Sequence, residues 1–410
     1  MNKLKLSFLF ILLSFSFNLF SQPIYLNIVS HNEENQPDTV WSYYALKRPH
    51  IINVINTVTS KNAKLNFQSD WKYLRGVLKF DTGSVVLNTN GKNILRWMTE
   101  DMGIEADPHA HETHHNYADV AYLHLLNGVT PSLNIGGFLY DTIINGNNWE
   151  NMQDSIRGRN YPNYWWKPEV LWGSGTPNHV NDILFCGIWK PQSMANFWSH
   201  DSTKRLILIG RGCNLPLRDT SNITTIMNGL RNLIRALELN LINDTGMVTA
   251  SIFIGQGTFS NTLTIKLGVL IDSIAPYVAT GKIIWSNLTN TKNIWKTNYS
   301  RKPQRILCTD VPTSVEQINS ILPANYELKQ NYPNPFNPST NIQFSLPKKE
   351  FVTLKIFDVS GRLISELINS EYNPGSYIVG FNASGLSSGI YFYTLRTESY
   401  SETKRMIFVK

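Results

Sequence analysis

From Ile24 to Asn287 the pattern of apolar and polar positions switches between two periods. IYLNIVS (24–30) is a continuous apolar strand run that stops at polar HNEE (31–34), and residues 42–60 carry helical spacing. KLNFQSDW (64–71) reads as a second strand whose end holds Gln68, Ser69 and Asp70. TNGKNILRWMTEDMG (89–103) has the spacing of an amphipathic helix closed by Gly103, and IEADPHAHE (104–112) predicts a third short strand. Asn116 stands where an N-cap would open the helix YADVAYLHLLNG (117–128), and SLNIGGF (132–138) starts a fourth strand. Further on, KRLILIG (204–210), TASIFIG (249–255) and KIIWSN (282–287) predict strands. ITTIMNGLRNLIRALELN (223–240) and LTIKLGVLIDSIAPYVATG (263–281) predict helices. Strands alternating with helices imply an α/β fold with a parallel sheet, and at this length a closed or nearly closed β/α barrel is the leading geometry.

Both ends of the chain follow other patterns. Residues 1–21, MNKLKLSFLFILLSFSFNLFS, place Lys3 and Lys5 before an apolar run of about a dozen residues ending at Ser21, the build of a secretory signal peptide. The run is short for a bilayer span, and no later stretch reaches eighteen unbroken apolar residues, so no transmembrane segment is expected after the signal is removed. Residues 22–310 then form the β/α unit. Residues 311–328 are polar, contain Pro and keep no period, which reads as a linker. In residues 329–410, Pro333, Pro335 and Pro338 forbid a helix. VTLKIFDVSGRLISELI, GSYIVGFNASGLSSGIYFYTLRT and SETKRMIFVK repeat short period-two runs with Gly/Ser turns. That predicts a small all-β, immunoglobulin-like sandwich.

Composition narrows the function classes. A net charge of +7 spread without basic blocks gives no footprint for nucleic acid. Cys186, Cys213 and Cys308 are far apart and of odd number, so the fold cannot rest on a disulfide framework. All nine histidines lie between His31 and His200, which assigns any imidazole chemistry to the β/α unit.

Four of those histidines crowd DPHAHETHHNYADV (107–120): His109, His111, His114 and His115, beside Asp107. In a parallel β/α barrel, residues just after each strand meet on one face. HNEE follows the first predicted strand and DPHAHE the third, so Glu33, Glu34 and His31 would meet these imidazoles across about seventy-five positions of sequence. Asp107, His109 and His111 alternate onto one side of an extended strand, whereas His111 and His115 share a face if the chain has turned helical. Either register suits a divalent metal, zinc first, because neutral imidazole nitrogen and carboxylate oxygen are its usual ligands. The candidate ligands are thus His31, Asp107, His109, His111 and His115. WGSGTPNHVND (172–182) adds His179 and Asp182 as a candidate acid or base, and Trp165, Trp166, Trp172, Trp189 and Lys190 are candidates for a sugar cleft.

Two resemblances follow from these residues. YPNPFNPST, DVSGRLI, ASGLSSGIYFY and SETKRMIFVK together resemble the C-terminal sorting domain of type IX secretion substrates. This implies transit through the periplasm, dependence on the type IX machinery, and release or attachment at the cell surface. Residues 24–290 resemble the polysaccharide deacetylase (NodB-type) family of distorted barrels, which remove acetyl groups from sugars. In that family the first strand ends in two aspartates, one a general base and one a metal ligand, and HNEE stands at that place, so Glu33 and Glu34 would inherit the roles. His111 and His115 in HETHH match the family's histidines four apart, and Lys190–Pro191 in DILFCGIWKP partly match its arginine-and-proline motif. Gln256 in TASIFIGQG stands where a late histidine is expected, and the carboxylates are one methylene longer than aspartate.

The resemblance implies an exported metal-dependent hydrolase of acetylated carbohydrate, with Glu33, Glu34, His179 and Asp182 in catalytic roles. Two alternatives stay open. One is a glycosidase pairing Glu33 or Glu34 with Glu112 or Asp182, for which carboxyl separation would set the stereochemistry. The other is a non-catalytic glycan-binding surface protein.

Overall fold

The computed structural model describes residues 22–33, 40–110, 114–137, 151–173, 185–193, 196–212, 215–238, 246–255, 259–307, 316–319, 323–383 and 385–410. The first unit begins β1 (Ile24–Asn32), α1 (Trp41–Ser60), β2 (Leu65–Ser69), α2 (Trp71–Phe80) and α3 (Ile94–Arg96), which runs on as a π-turn over Trp97–Asp101. Next come β3 (Glu105–Pro108), α4 (Tyr117–Leu126), β4 (Asn134–Ile135), a ribbon of β5 (Ile156–Arg157) and β6 (Trp165–Trp166), then β7 (Val170–Trp172) and β8 (Phe185–Trp189). It continues through β9 (Ile207–Ile209), β10 (Pro216–Leu217), α5 (Ile223–Glu238), β11 (Val248–Ile254) and α6 (Asn261–Ala279). It closes with β12 (Ile283–Trp285), α7 (Leu288–Asn298) and β13 (Gln304–Leu307).

One sheet runs β10-β11-β1-β2-β3 with β12 also on β1, and every pairing in it is parallel. The second runs β13-β8-β9-β7-β4. There β8 is antiparallel to β9 and β13, a departure from the uniformly parallel sheet that the alternation implies. No helix is seen among the described residues between β7 and β9, and antiparallel neighbours need no helical crossover. The two sheets meet at the parallel bridge His109–Gly136. Across the other side, Gly187 N donates to Thr249 Oγ1 at 3.0 Å and the Thr249 hydroxyl donates to Gly187 O at 2.9 Å.

Strand parity sorts the side chains of β1. Ile24, Leu26 and Ile28 join the core under α1, α2, α5 and α6. Tyr25 and Val29 face inward with Val170, Trp172, Ile188, Ile207, Ile209 and Phe253. His31 and Glu33 continue that inward row. Helix starts are fixed by local polar chemistry. Asn116 and Asp119 form a reciprocal capping box on α4. Asp70 accepts from Tyr73 N and starts α2 where the period-two reading carried a strand on to Trp71. Helix α6 is long and apolar enough to cross a membrane, yet it lies against α1, α5 and β12 and buries Leu263, Leu267, Leu270, Ile271 and Ile274.

The C-terminal part is all β: β14 (Glu316–Asn319), β15 (Glu327–Leu328), β16 (Ser339–Leu346), β17 (Glu350–Asp358), β18 (Leu363–Tyr372), β19 (Gly375–Asn382), β20 (Gly389–Arg396) and β21 (Ser401–Phe408). Two antiparallel sheets, β14-β19-β16-β15 and β18-β17-β20-β21, enclose one core that includes Phe344, Val352, Leu354, Tyr393 and Phe408. β14 and β15 fall inside 311–328, so part of the segment read as a linker supplies edge strands to the sandwich.

Candidate metal centre

Parity on β1 and β3 brings three donor side chains to one point. Glu33 Oε1 lies 3.1 Å from His31 Nδ1 and 2.6 Å from His109 Nε2. The two imidazole rings are 4.1 Å apart between centroids. One ligand atom from each of His31, Glu33 and His109 lies within 4.8 Å of the others. Both rings are buried, whereas the Glu33 side chain keeps 22% of its surface, so the cluster opens toward solvent on the carboxylate side.

The surroundings keep His31 neutral. Its pKa falls from 6.5 to about 3, first through burial and then through the neighbouring His109, while Glu33 pulls upward and Arg211 pushes down. Trp172 and Phe253 meet the His31 ring edge-on, at 5.4 and 4.8 Å. The Arg211 guanidinium sits 3.9 Å over the Phe253 ring, which places a cation beside the cluster. Two nitrogens and one oxygen, with the His31 imidazole in the neutral form that a metal requires and one side open, fit a zinc-type site.

Asp107 shares the inward row of β3 with His109, but its carboxylate turns into a buried polar net. Oδ2 accepts from Asn66 Nδ2 at 2.9 Å and Gln68 Nε2 at 3.2 Å; Oδ1 accepts from the Ser132 hydroxyl and Asn134 Nδ2. Burial and the charge of Glu105 push the Asp107 carboxyl well up, against the bonds from Ser132, Asn66 and Gln68. Burial chiefly, and the charge of Glu33 with it, raises the Tyr117 phenol, which donates to Gly136 O at 2.8 Å.

The other candidates separate. His115 stacks on Trp71, 4.5 Å between centroids and 10° between planes, outside the three-residue cluster. Trp172 is a buried wall whose Nε1 donates to Ser251 Oγ at 2.9 Å. Trp189 is core, donating to Phe197 O, and Lys190 donates to Ser202 O. Because β8 runs antiparallel, with Trp189 opposite Leu208, its C-terminal end carries Trp189 and Lys190 to the opposite end of the sheet from Arg211. That direction could not be read from alternation alone. Trp165 is exposed and Trp166 buried, on the ribbon away from the cluster's contacts. Glu34, His111, Glu112, His179, Asp182 and Gln256 lie outside the described residues. Arg211 belongs to no motif, and its one signal in sequence is that it follows KRLILIG as directly as HNEE follows IYLNIVS.

Residues 330–410 match the family described as "Secretion system C-terminal sorting domain". The chain therefore carries a type IX sorting domain and is a secreted or cell-surface protein that engages that machinery. No curated protein matches the chain. Among solved structures it is similar to PorZ, a surface component of the type IX secretion system of Porphyromonas gingivalis. The identity there is 20% over 24% of this chain and 13% of that one, with a TM-score of 0.16, so the chain spans about an eighth of that relative's length. A conjugative transposon lipoprotein from Bacteroides eggerthii is 15% identical over 21% of this chain and 95% of that one, TM-score 0.16. A 4-alpha-glucanotransferase from Thermococcus litoralis is 10% identical over 69% and 41%, TM-score 0.38.

Proposed function

We propose that residues 22–310 are a divalent-metal hydrolase of acetylated carbohydrate, built on a distorted β/α barrel of the polysaccharide deacetylase type and carried out of the cell by the sorting domain. The observation behind this reading is the convergence of His31, Glu33 and His109 from two strand ends about seventy-five residues apart in sequence. The barrel geometry is supported by the two sheets, which share one inner apolar cluster and touch at His109–Gly136 and at Thr249–Gly187.

His31 and His109 would supply nitrogen and Glu33 oxygen to the ion, zinc first. Such an ion supplies Lewis-acid polarisation of an acyl oxygen and acidifies a water toward neutrality. The chain's own residues do the rest. Glu34, the other HNEE carboxylate, lies outside the described residues and would take the proton of the attacking water. Arg211 sets a positive charge, oriented by the Phe253 ring, beside the position where negative charge develops on the acyl oxygen. The Trp172 and Phe253 rings exclude water from the His31 side of the site.

Zinc titration of the full chain, with acetate release from acetylated oligosaccharides as the second readout, tests the reading. About one ion per chain should bind, His109→Ala should abolish binding, and a chelator should stop acetate release until zinc is restored. Full zinc occupancy in His109→Ala would refute the centre. Chelator-insensitive glycan cleavage would instead identify a carboxylate-pair glycosidase, and glycan binding without turnover a binding protein.

A further inference from the structure

Gln68 lies on β2 between Asp107 and His109 and is wholly buried. Its Nε2 donates to Asp107 Oδ2 at 3.2 Å, and Asp107 is already the acceptor for Asn66, Ser132 and Asn134. That convergence of donors fixes which way the Gln68 amide faces, because reversing it would set its carbonyl against Oδ2, an oxygen that already accepts from Asn66. The carbonyl oxygen, Oε1, is therefore aimed away from Asp107, and it has no hydrogen-bond partner among the described residues. A buried acceptor left without a donor is unfavourable, so its direction calls for a reason.

Gly136 shows where that oxygen points. A Cβ at Gly136 would stand 1.8 Å from Gln68 Oε1 and 3.0 Å from His109 Nδ1, so the amide oxygen and the imidazole nitrogen crowd the same spot from two strands. Only glycine leaves room for both. At the adjacent Gly137, with φ of +77°, a Cβ would stand 2.4 Å from His109 Cε1, so the ring is held in a slot of bare backbone. The opposite ring nitrogen, Nε2, is the one that faces Glu33.

We propose that Gln68 is a positioning residue: its carbonyl accepts the His109 Nδ1–H, fixes that tautomer, and so presents a bare Nε2 beside Glu33 to a divalent cation, with Asp107 locking the amide. The proposal rests on the metal reading above and adds the chain Asp107 to Gln68 to His109 behind it. Partners of this kind are worth about 10–100-fold in metal affinity.

The test uses the full chain labelled with ¹⁵N-histidine, metal-free and then titrated with zinc. Long-range ¹H–¹⁵N spectra of the metal-free protein should show His109 protonated at Nδ1 and bare at Nε2; the Nε2–H tautomer would overturn the proposal. Gln68→Met keeps the length and removes the acceptor. It should give a mixed His109 tautomer and zinc affinity about 10–100-fold weaker, with the metal-free melting temperature showing whether the fold survives. If that variant does not fold, the parent spectrum decides alone. Parent protein that binds no zinc refutes the metal reading, while the tautomer still decides the role of Gln68. Parent protein that binds zinc, with Gln68→Met equal to it in affinity and tautomer, refutes this inference alone.

Discussion

Acid should destabilise the β/α unit through His124, and the effect can be isolated by one substitution. His124 is fully buried in α4; its Nδ1 donates to Val120 O at 3.0 Å, and Nε2 has no hydrogen-bond partner among the described residues. Protonation would bury a charge and a second N–H with no acceptor, so burial lowers the pKa from 6.5 to about 4, against the upward pull of the Val120 bond. The unfolded chain then binds a proton that the folded one refuses. Stability is complete above the unfolded pKa and is lost as pH falls through the interval down to about 4. Linkage puts the loss at about 2 kcal/mol by pH 5 and about 3 kcal/mol once both forms are protonated. His124→Leu removes the titrating group and keeps an apolar helix former. Urea unfolding followed by tryptophan fluorescence reports the β/α unit selectively, because all eleven tryptophans precede residue 311. With chelator present throughout, the stability difference between parent and variant should change by about 2 kcal/mol between pH 8 and pH 5. Parallel curves over that range would show that His124 is not the neutral, unsatisfied group described here.

Asp81 accepts from Tyr44 OH at 2.9 Å, Arg48 Nε at 2.8 Å and Ile94 N at 2.7 Å in a buried site, so Asp81→Ala strands the Arg48 charge and should cost about 3–5 kcal/mol in thermal or urea unfolding. A cost below about 1 kcal/mol would mean that Arg48 finds water instead. Arg211→Met should lower kcat for acetate release by about 100-fold while zinc affinity stays within a few-fold, as expected of a charge that acts on the reacting oxygen. An unchanged kcat would remove Arg211 from the chemistry. Deleting 330–410 should trap the protein in the periplasm, as read by cell fractionation; undiminished surface or medium levels would show that the sorting domain is dispensable for export.

Some of this was legible from residue order because it depends on near neighbours. Asn116 and Asp119 fix the start of α4 through their own backbone, and period-two runs in 339–408 form β16 to β21 because alternation alone decides which face a strand buries. The export signal was legible for the same reason, as a cluster of local motifs. Helix α7 shows no apolar stripe in sequence because NLTNTKNIWKTN is polar, yet Leu288, Thr291, Lys292 and Trp295 share a buried face at helical spacing.

What the sequence by itself determined is that acids end the first strand and imidazoles follow the third. Which imidazole meets which acid was decided only by strand register. His109 reaches Glu33 because β3 pairs with β2 and β2 with β1, in a register that puts Gln68 beside both His31 and Asp107. Asp107, two residues away on the same face, is drawn off by Asn66, Gln68, Ser132 and Asn134. The direction of β8 likewise carried Lys190 away from the cluster, and that of β9, parallel to β7, left Arg211 beside it. Caps and alternation act over a few residues, where the chain's own geometry sets the distances. A ligand set joins residues whose separation depends on every pairing between them, and only the assembled sheets set that.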